Sequence, residues 1–304
     1  MAVRPQTLPA GAAPVIVGTG LAVNQDVFAT LPAMFALVGA LTIQIGTNLA
    51  NDYFDALKGA DTQDREGFTR VTAAGLIQPS TVKQAAIFTF LIAVVIGSYL
   101  VYIGGLPILL IGLASIFAGI AYTGGPLPYG YRGLGDIFVF VFFGLIGVAG
   151  TYYVQAVASL PGIGPFPLWI PTGALPLLAI FVAIPVASLT TALLVINNIR
   201  DIETDRAAGK RTLAVMIGYR WSRIEWSILV LSAYTVPVGL WNNGYHLGIL
   251  LPILTIPVAI QLGKTIWTRT DGIALNPALE RMGQLLIIYS VLFALGLVMP
   301  SILT

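Results

Sequence analysis

The chain has no cysteine and a single histidine among its 304 residues. Disulfides, thiolate metal sites and thiol nucleophiles are therefore excluded, and no histidine cluster can hold a metal. Charge is scarce too: Asp, Glu, Lys and Arg make up 9% of the residues, against roughly 25% in a soluble domain. Apolar side chains take their place, at 57% of the chain and a mean hydropathy of +0.89. No soluble fold of this length hides that much apolar surface, so the composition predicts an all-α polytopic membrane protein. No soluble domain, low-complexity tract or long linker interrupts it, so residues 1–304 read as one transmembrane domain. Its expected surroundings are the lipid bilayer, with no nucleic-acid partner.

Windows of about 20 apolar residues place nine spans, near 11–28, 31–55, 81–103, 105–123, 134–157, 172–198, 221–241, 247–268 and 281–300. The few charges then sort by side. All 15 Lys and Arg fall before the first span, in the connections after the second, fourth, sixth and eighth, or, as Lys83, Arg223, Lys264 and Arg281 do, within the span ends that border those connections. The opposite connections contain none, and of the 13 acids only Asp26 lies there. The positive-inside rule puts the N-terminus and the charged loops in the cytoplasm and the C-terminus outside. His246 falls on the outer side and reads as a surface residue. The N-terminal segment reads as a cytoplasmic lead-in to the first span, not as a cleaved signal.

Two stretches stand out because acids and amides cluster where a span ends. In N-L-A-N-D-Y-F-D, Asn48, Asp52 and Asp55 fall at i, i+4 and i+7. In N-N-I-R-D-I-E-T-D-R-A-A-G-K-R, a continuing helix would place Asn198, Asp201 and Asp205 at i, i+3 and i+7, or Asn197, Asp201 and Asp205 at i, i+4 and i+8. Carboxylates stacked at this spacing repel unless a cation lies between them. The two stretches end the second and sixth spans, which suggests two four-helix halves plus one further helix around a central cavity.

Clustered carboxylates and amides suit a hard, oxygen-loving cation such as Mg²⁺, whose shell substrate phosphates usually complete. Lys58, Arg206, Lys210 and Arg211 beside them can neutralise a diphosphate, arginine through a bidentate fork. A substrate with a diphosphate head and a long apolar tail fits such a place. Departure of the diphosphate would leave an allylic cation, which aromatic faces shelter; Tyr53, Tyr122, Tyr152 and Tyr153 are candidates. The Gly- and Pro-rich segment 124–135 is either a turn or the mouth of the pocket, with Arg132 and Asp136 near an aromatic substrate. A secondary transporter also carries intramembrane acids and internal repeats. A structural or lipid-binding protein would have no need of either stretch.

The stretches R-P-Q-T-L-P-A (4–10), Q-I-G-T-N-L-A-N-D-Y-F-D (44–55), G-P-L-P-Y-G-Y-R-G-L-G-D (125–136) and N-N-I-R-D-I-E-T-D-R-A-A-G-K-R-T-L-A-V (197–215) carry a resemblance. The chain resembles the UbiA superfamily of intramembrane aromatic prenyltransferases, most of all its members acting on 1,4-dihydroxy-2-naphthoate in menaquinone biosynthesis. The resemblance implies a nine-helix fold and transfer of a polyprenyl group from polyprenyl diphosphate to 1,4-dihydroxy-2-naphthoate, with loss of CO₂ and diphosphate. Other superfamily acceptors are 4-hydroxybenzoate and homogentisate. By the same resemblance Asp52, Asp55, Asp201 and Asp205 hold Mg²⁺, supported by Asn48, Asn51 and Asn198, while Lys210 and Arg211 grip the diphosphate. Lys58 either joins them or meets the carboxylate of the naphthoate. Tyr122, Arg132 and Tyr152 are the remaining substrate-binding candidates. One departure is visible: the superfamily's further acid after Asp55 is Gly59 here, and the next acids are Asp61 and Asp64.

Overall fold

In a bilayer every backbone N–H and C=O has to be satisfied within its own segment, so long apolar runs fold as helices. The computed structural model describes residues 3–59 and 70–303. Among them the order is α1 (Leu8–Asn24), α2 (Thr30–Leu57), α3 (Pro79–Ala121), α4 (Gly135–Val139), a π-helical stretch (Phe140–Ile146) and α5 (Gly147–Ser159). There follow α6 (Leu177–Arg200), α7 (Ile202–Ala207), α8 (Leu213–Asn242), a 3-10 stretch (Leu247–Thr255), α9 (Ile256–Thr268) and α10 (Gly272–Leu303). No described residue is in a strand. Asp61 and Asp64 lie outside the described residues.

Among the described residues eight helices are long and apolar enough to cross a membrane, where nine spans were expected. The difference arises in α3. Its 43 residues would extend about 65 Å if straight, twice the roughly 30 Å hydrocarbon core. The helix breaks at Gly105, with φ 68° and ψ −151°, between the expected third and fourth spans. Its two ends return to the same place, since Thr72 just before it bonds Asp52 and Thr123 just after it bonds Asn51, both at the end of α2, so the helix doubles back at the break.

The break is held from outside. Leu106 N–H donates to the Pro167 carbonyl at 3.0 Å, and Phe166 N–H donates to that of Tyr102 at 2.9 Å. A Cβ on Gly105 would collide with the Pro167 carbonyl, and its positive φ already disfavours an L side chain. Gly105→Ala is expected to cost roughly 3 kcal/mol, read as a lower thermal midpoint in detergent. An unchanged midpoint would show that the 160–171 connection does not clamp the break.

The helices close into a ring. α2 packs along α3, α6 along α8, and α10 joins the two groups by lying against α1, α6 and the 3-10 stretch. Small residues permit the closest approach: a Cβ on Gly20 of α1 would stand 2.8 Å from Ala294 of α10. α6 is the most enclosed helix, with 78% of its apolar window inside the protein. Whatever hangs from its end is therefore positioned by the best-packed part of the fold.

Candidate active site

A cavity of about 500 Å³ runs between α1, α2, α3, the π-helical stretch, α5 and α6. Its long wall is apolar, built from residues such as Val101, Ile108, Phe138, Phe142 and Val154. Its polar end gathers Arg4, Asn48, Asn51, Asp55, Arg70, Tyr122, Tyr129, Asn197 and Lys210. Both acidic stretches reach this one end.

The first stretch occupies the last turns of α2, and Asn48, Asn51, Asp52 and Asp55 are all buried. The stripe facing the cavity is Asn48, Asn51 and Asp55, at i, i+3 and i+7. Asp52, expected on that stripe, sits on its flank. Its Oδ2 accepts from Thr72 Oγ1 at 2.7 Å, and its buried Oδ1 has no hydrogen-bond partner among the described residues. Asp55 accepts from the Tyr131 hydroxyl at 2.8 Å and lies 3.7 Å from the Arg70 guanidinium. Asn51 accepts from Thr123 Oγ1 at 2.9 Å. The Asn48 amide donates to the Val3 carbonyl and to Thr7 Oγ1, at 2.8 and 3.0 Å, which ties the N-terminal segment over the cavity.

The second stretch does not continue as one helix. α6 ends at Arg200, Asp201 leaves helical geometry (φ −94°, ψ 8°), and α7 starts at Ile202. The physical cause is the pair itself. Arg200 Nε and Nη2 each reach a different oxygen of Asp201 at 2.8 Å. Adjacent side chains on a straight helix point about 100° apart, so the backbone turns to let them meet. Arg200 also donates to Asn197 and to Asn276 of α10, at 2.8 and 2.9 Å, fastening the end of α6 to the last helix.

Tyr131 links the two stretches. Besides bonding Asp55, its ring carries the Lys58 ammonium at 4.7 Å and the Lys210 ammonium at 5.3 Å. Lys210 in turn lies 3.6 Å from Asp205. Lys58 donates to the Thr123 carbonyl. Partial burial lowers the Lys58 pKa from its ordinary 10.5, and Lys210 adds to the shift against the opposing pull of Asp55. Two ammonium groups on one ring repel, and an anion placed between them relieves that repulsion.

Other expected positions fall elsewhere. Tyr152 and Tyr153 are in the apolar core, Tyr153 bonded to the Gly104 carbonyl at 3.0 Å. Tyr53 packs under the second, smaller apolar cluster. Arg132 and Arg211 are exposed, and Asn198 is buried without lining the cavity, where Asn197 stands instead. The 124–135 segment is both turn and wall. Gly130 N–H bonds the Tyr122 carbonyl at 2.9 Å, and Tyr122 and Tyr129, edge to face at 5.4 Å, line the cavity. Arg4, Arg70, Thr72 and Tyr131 were not picked out from the sequence. Two of them had a signal: Arg4 heads the R-P-Q-T-L-P-A stretch, and Tyr131 lies in the Gly- and Pro-rich segment.

The donor set suits a divalent metal in chemical type: carboxylates and carboxamides, with Asp52 Oδ1 buried and without a hydrogen-bond partner among the described residues. No group of three or more acids or histidines that could hold a metal is formed among the described residues. The two stretches meet through Tyr131 and Lys210, and their carboxylates form no closed cage among the described residues.

An all-α membrane enclosure with carboxylates, carboxamides and lysines at one end of an apolar cavity defines a transferase embedded in the membrane. The chain belongs to the UbiA prenyltransferase family, whose model matches residues 12–275. It is 38% identical to the 1,4-dihydroxy-2-naphthoate octaprenyltransferase of Escherichia coli, over 97% of this chain and 92% of that one. It is 29% identical to human UbiA prenyltransferase domain-containing protein 1, over 98% and 82%. Among solved structures, a UbiA homolog from Aeropyrum pernix superposes with a TM-score of 0.70 at 13% identity, covering 96% of this chain and 98% of that one. A homolog from Archaeoglobus fulgidus, bound to DMAPP and Mg²⁺, gives 0.60 at 14%, covering 96% and 97%.

Proposed function

We propose that the protein transfers a polyprenyl group from polyprenyl diphosphate to 1,4-dihydroxy-2-naphthoate, with decarboxylation, to give demethylmenaquinol. The observation that carries this reading is the meeting of both acidic stretches on the Tyr131–Lys210 contact at the polar end of an apolar cavity. The naphthoate relatives match nearly the full length of the chain and support the choice of acceptor.

In this reading Asp52, Asp55, Asp201 and Asp205 hold Mg²⁺, with Asn48, Asn51 and Asn198 in support. The metal, when bound, stabilises negative charge on the departing diphosphate. Lys210, Lys58 and Arg70 neutralise the remaining diphosphate charge, and Arg211 stands at the entrance. Tyr122, Tyr129, Phe138 and Phe142 present ring faces or edges along the cavity, and the faces stabilise an allylic cation. The apolar wall takes the prenyl chain and keeps water from that cation. The polar end faces the cytoplasm and the C-terminus lies outside, in a plasma membrane.

The test is a product analysis. Purified protein with Mg²⁺ and one polyprenyl diphosphate is given 1,4-dihydroxy-2-naphthoate, 4-hydroxybenzoate or homogentisate, and products are read by mass spectrometry. The expected product is the decarboxylated prenyl naphthoquinol. Exclusive use of 4-hydroxybenzoate would overturn the reading.

A further inference from the structure

Three connections close the end of the fold away from the acidic stretches, and two of them are polar. The 24–29 turn exposes Gln25 and Asp26, and the 242–246 turn exposes Asn242, Asn243 and His246. The third, residues 160–176 between α5 and α6, is apolar: no Asp, Glu, Lys, Arg or His occurs from Ile137 to Ile199. Its base is packed into the protein. Ala174 is buried, and Leu160, Ile163 and Leu175 lie against the main apolar core. Its tip is not. Trp169 is 81% exposed, and Phe166, Leu168 and Ile170 stand out beside it. Large apolar side chains grouped on a fixed base form a patch that water disfavours.

The backbone of the tip sets what can cover it. Pro165, Pro167 and Pro171 have no N–H, and that of Phe166 is taken by the Tyr102 carbonyl. The N–H groups of Leu168, Trp169 and Ile170 have no backbone partner among the described residues. Open donors are too costly for the hydrocarbon core, where nothing replaces water. The headgroup boundary offers water and ester oxygens to these donors and acyl chains to the side chains, and tryptophan concentrates at that depth. The patch also continues the apolar outside of the spans, since Tyr102 of α3 and Leu177 and Phe181 of α6, near its two ends, are exposed.

We infer that residues 165–171 are a membrane anchor, seated at the headgroup boundary of the leaflet at that end, and that this seating steadies the break in α3. The occupant of the patch is lipid of any headgroup charge, because a segment without charge gains nothing from anionic lipid and loses nothing to salt. The link to the break is the pair of hydrogen bonds from Phe166 to Tyr102 and from Leu106 to Pro167. Val101 and Ile108, on either side of the break, line the cavity, so the seated tip holds that part of its apolar wall in place. The inference goes beyond the proposed reaction and does not depend on which acceptor is used.

The chain has no cysteine, so one introduced thiol gives one labelled site. Leu168→Cys and Trp169→Cys, each carrying a nitroxide, are reconstituted in phosphatidylcholine bilayers. Leu110→Cys, on the exposed face of α3, and Asn243→Cys, in a polar turn, are the references. Oxygen, which concentrates in lipid, is expected to relax the labels at 168 and 169 more than a water-soluble nickel chelate does, as at 110 and in reverse of 243. Added phosphatidylglycerol or salt leaves this order unchanged. Labels at 168 and 169 that behave like the one at 243 would overturn the anchor. Labels shielded from both reagents, with spin–spin broadening, would assign the patch to a second copy of the chain and overturn it equally. Leu168→Asp with Trp169→Asp lifts the tip, and exchange of the Leu106 amide in bilayers is expected to accelerate about ten-fold, with the amides of α6 unchanged. Trp169→Phe leaves both alone. A Leu106 amide that exchanges at the wild-type rate in the double aspartate variant would overturn the link between the anchor and the break.

Discussion

Asp205→Asn is expected to reduce prenyl transfer by about 10³-fold or more, and the double variant Asp201→Asn, Asp205→Asn further still. Asparagine keeps the size and one oxygen of aspartate but removes the negative charge that attracts a divalent cation. Losing charge stabilisation at a single position in a low-dielectric site commonly costs a factor of 10²–10³. Asp205 is buried and its carboxylate lies 3.6 Å from the Lys210 ammonium. The substitution therefore also frees Lys210 to bind diphosphate, and KM for the lipid should fall or hold while kcat collapses. Diphosphate release measured against Mg²⁺ concentration reads both effects. A variant with more than a tenth of the wild-type rate at saturating Mg²⁺ would sink the assignment of Asp205 to the metal.

The second large effect concerns Arg200, and it is one of stability. Arg200→Met leaves the Asp201 carboxylate buried without its bidentate partner, and cuts the links to Asn197 and Asn276. Breaking a buried pair from one side costs about 3–5 kcal/mol, because the remaining charge keeps its desolvation penalty. Removing both partners, as in Arg200→Met with Asp201→Leu, should recover much of that stability while activity stays lost. Thermal unfolding in detergent, with folded yield, distinguishes the cases. If the single variant unfolds with the wild type, Arg200 does not hold the end of α6 to α10.

These two predictions mark the limit of what spacing alone tells. Helical periodicity correctly grouped the first stretch on one end of α2, yet it put Asp52 on the cavity stripe, where Asn51 stands. The flanking segment decided this, because Thr72 takes the Asp52 carboxylate. Periodicity misled in the second stretch, since it assumed a helix through Asp201. Two neighbouring side chains that bond each other break that assumption, and nothing in a residue-by-residue pattern announces it. Tyr152 and Tyr153 looked like cavity aromatics by composition, but the rotation of α5 turns them into the core.

The sequence by itself determined the class of the protein. Scarce charge, long apolar runs and one-sided Lys and Arg leave a helical membrane protein as the physical option, because unsatisfied backbone groups cannot face lipid. It also singled out the side chains proposed to carry the chemistry, since acids and amides at span ends are too costly to be incidental. Tertiary structure alone decided which of them share a space. Arg4, Arg70 and Tyr131 come to the cavity end from segments far apart in the chain. Such juxtapositions follow from how helices rotate and close against one another, a property of the packed whole that no local pattern encodes.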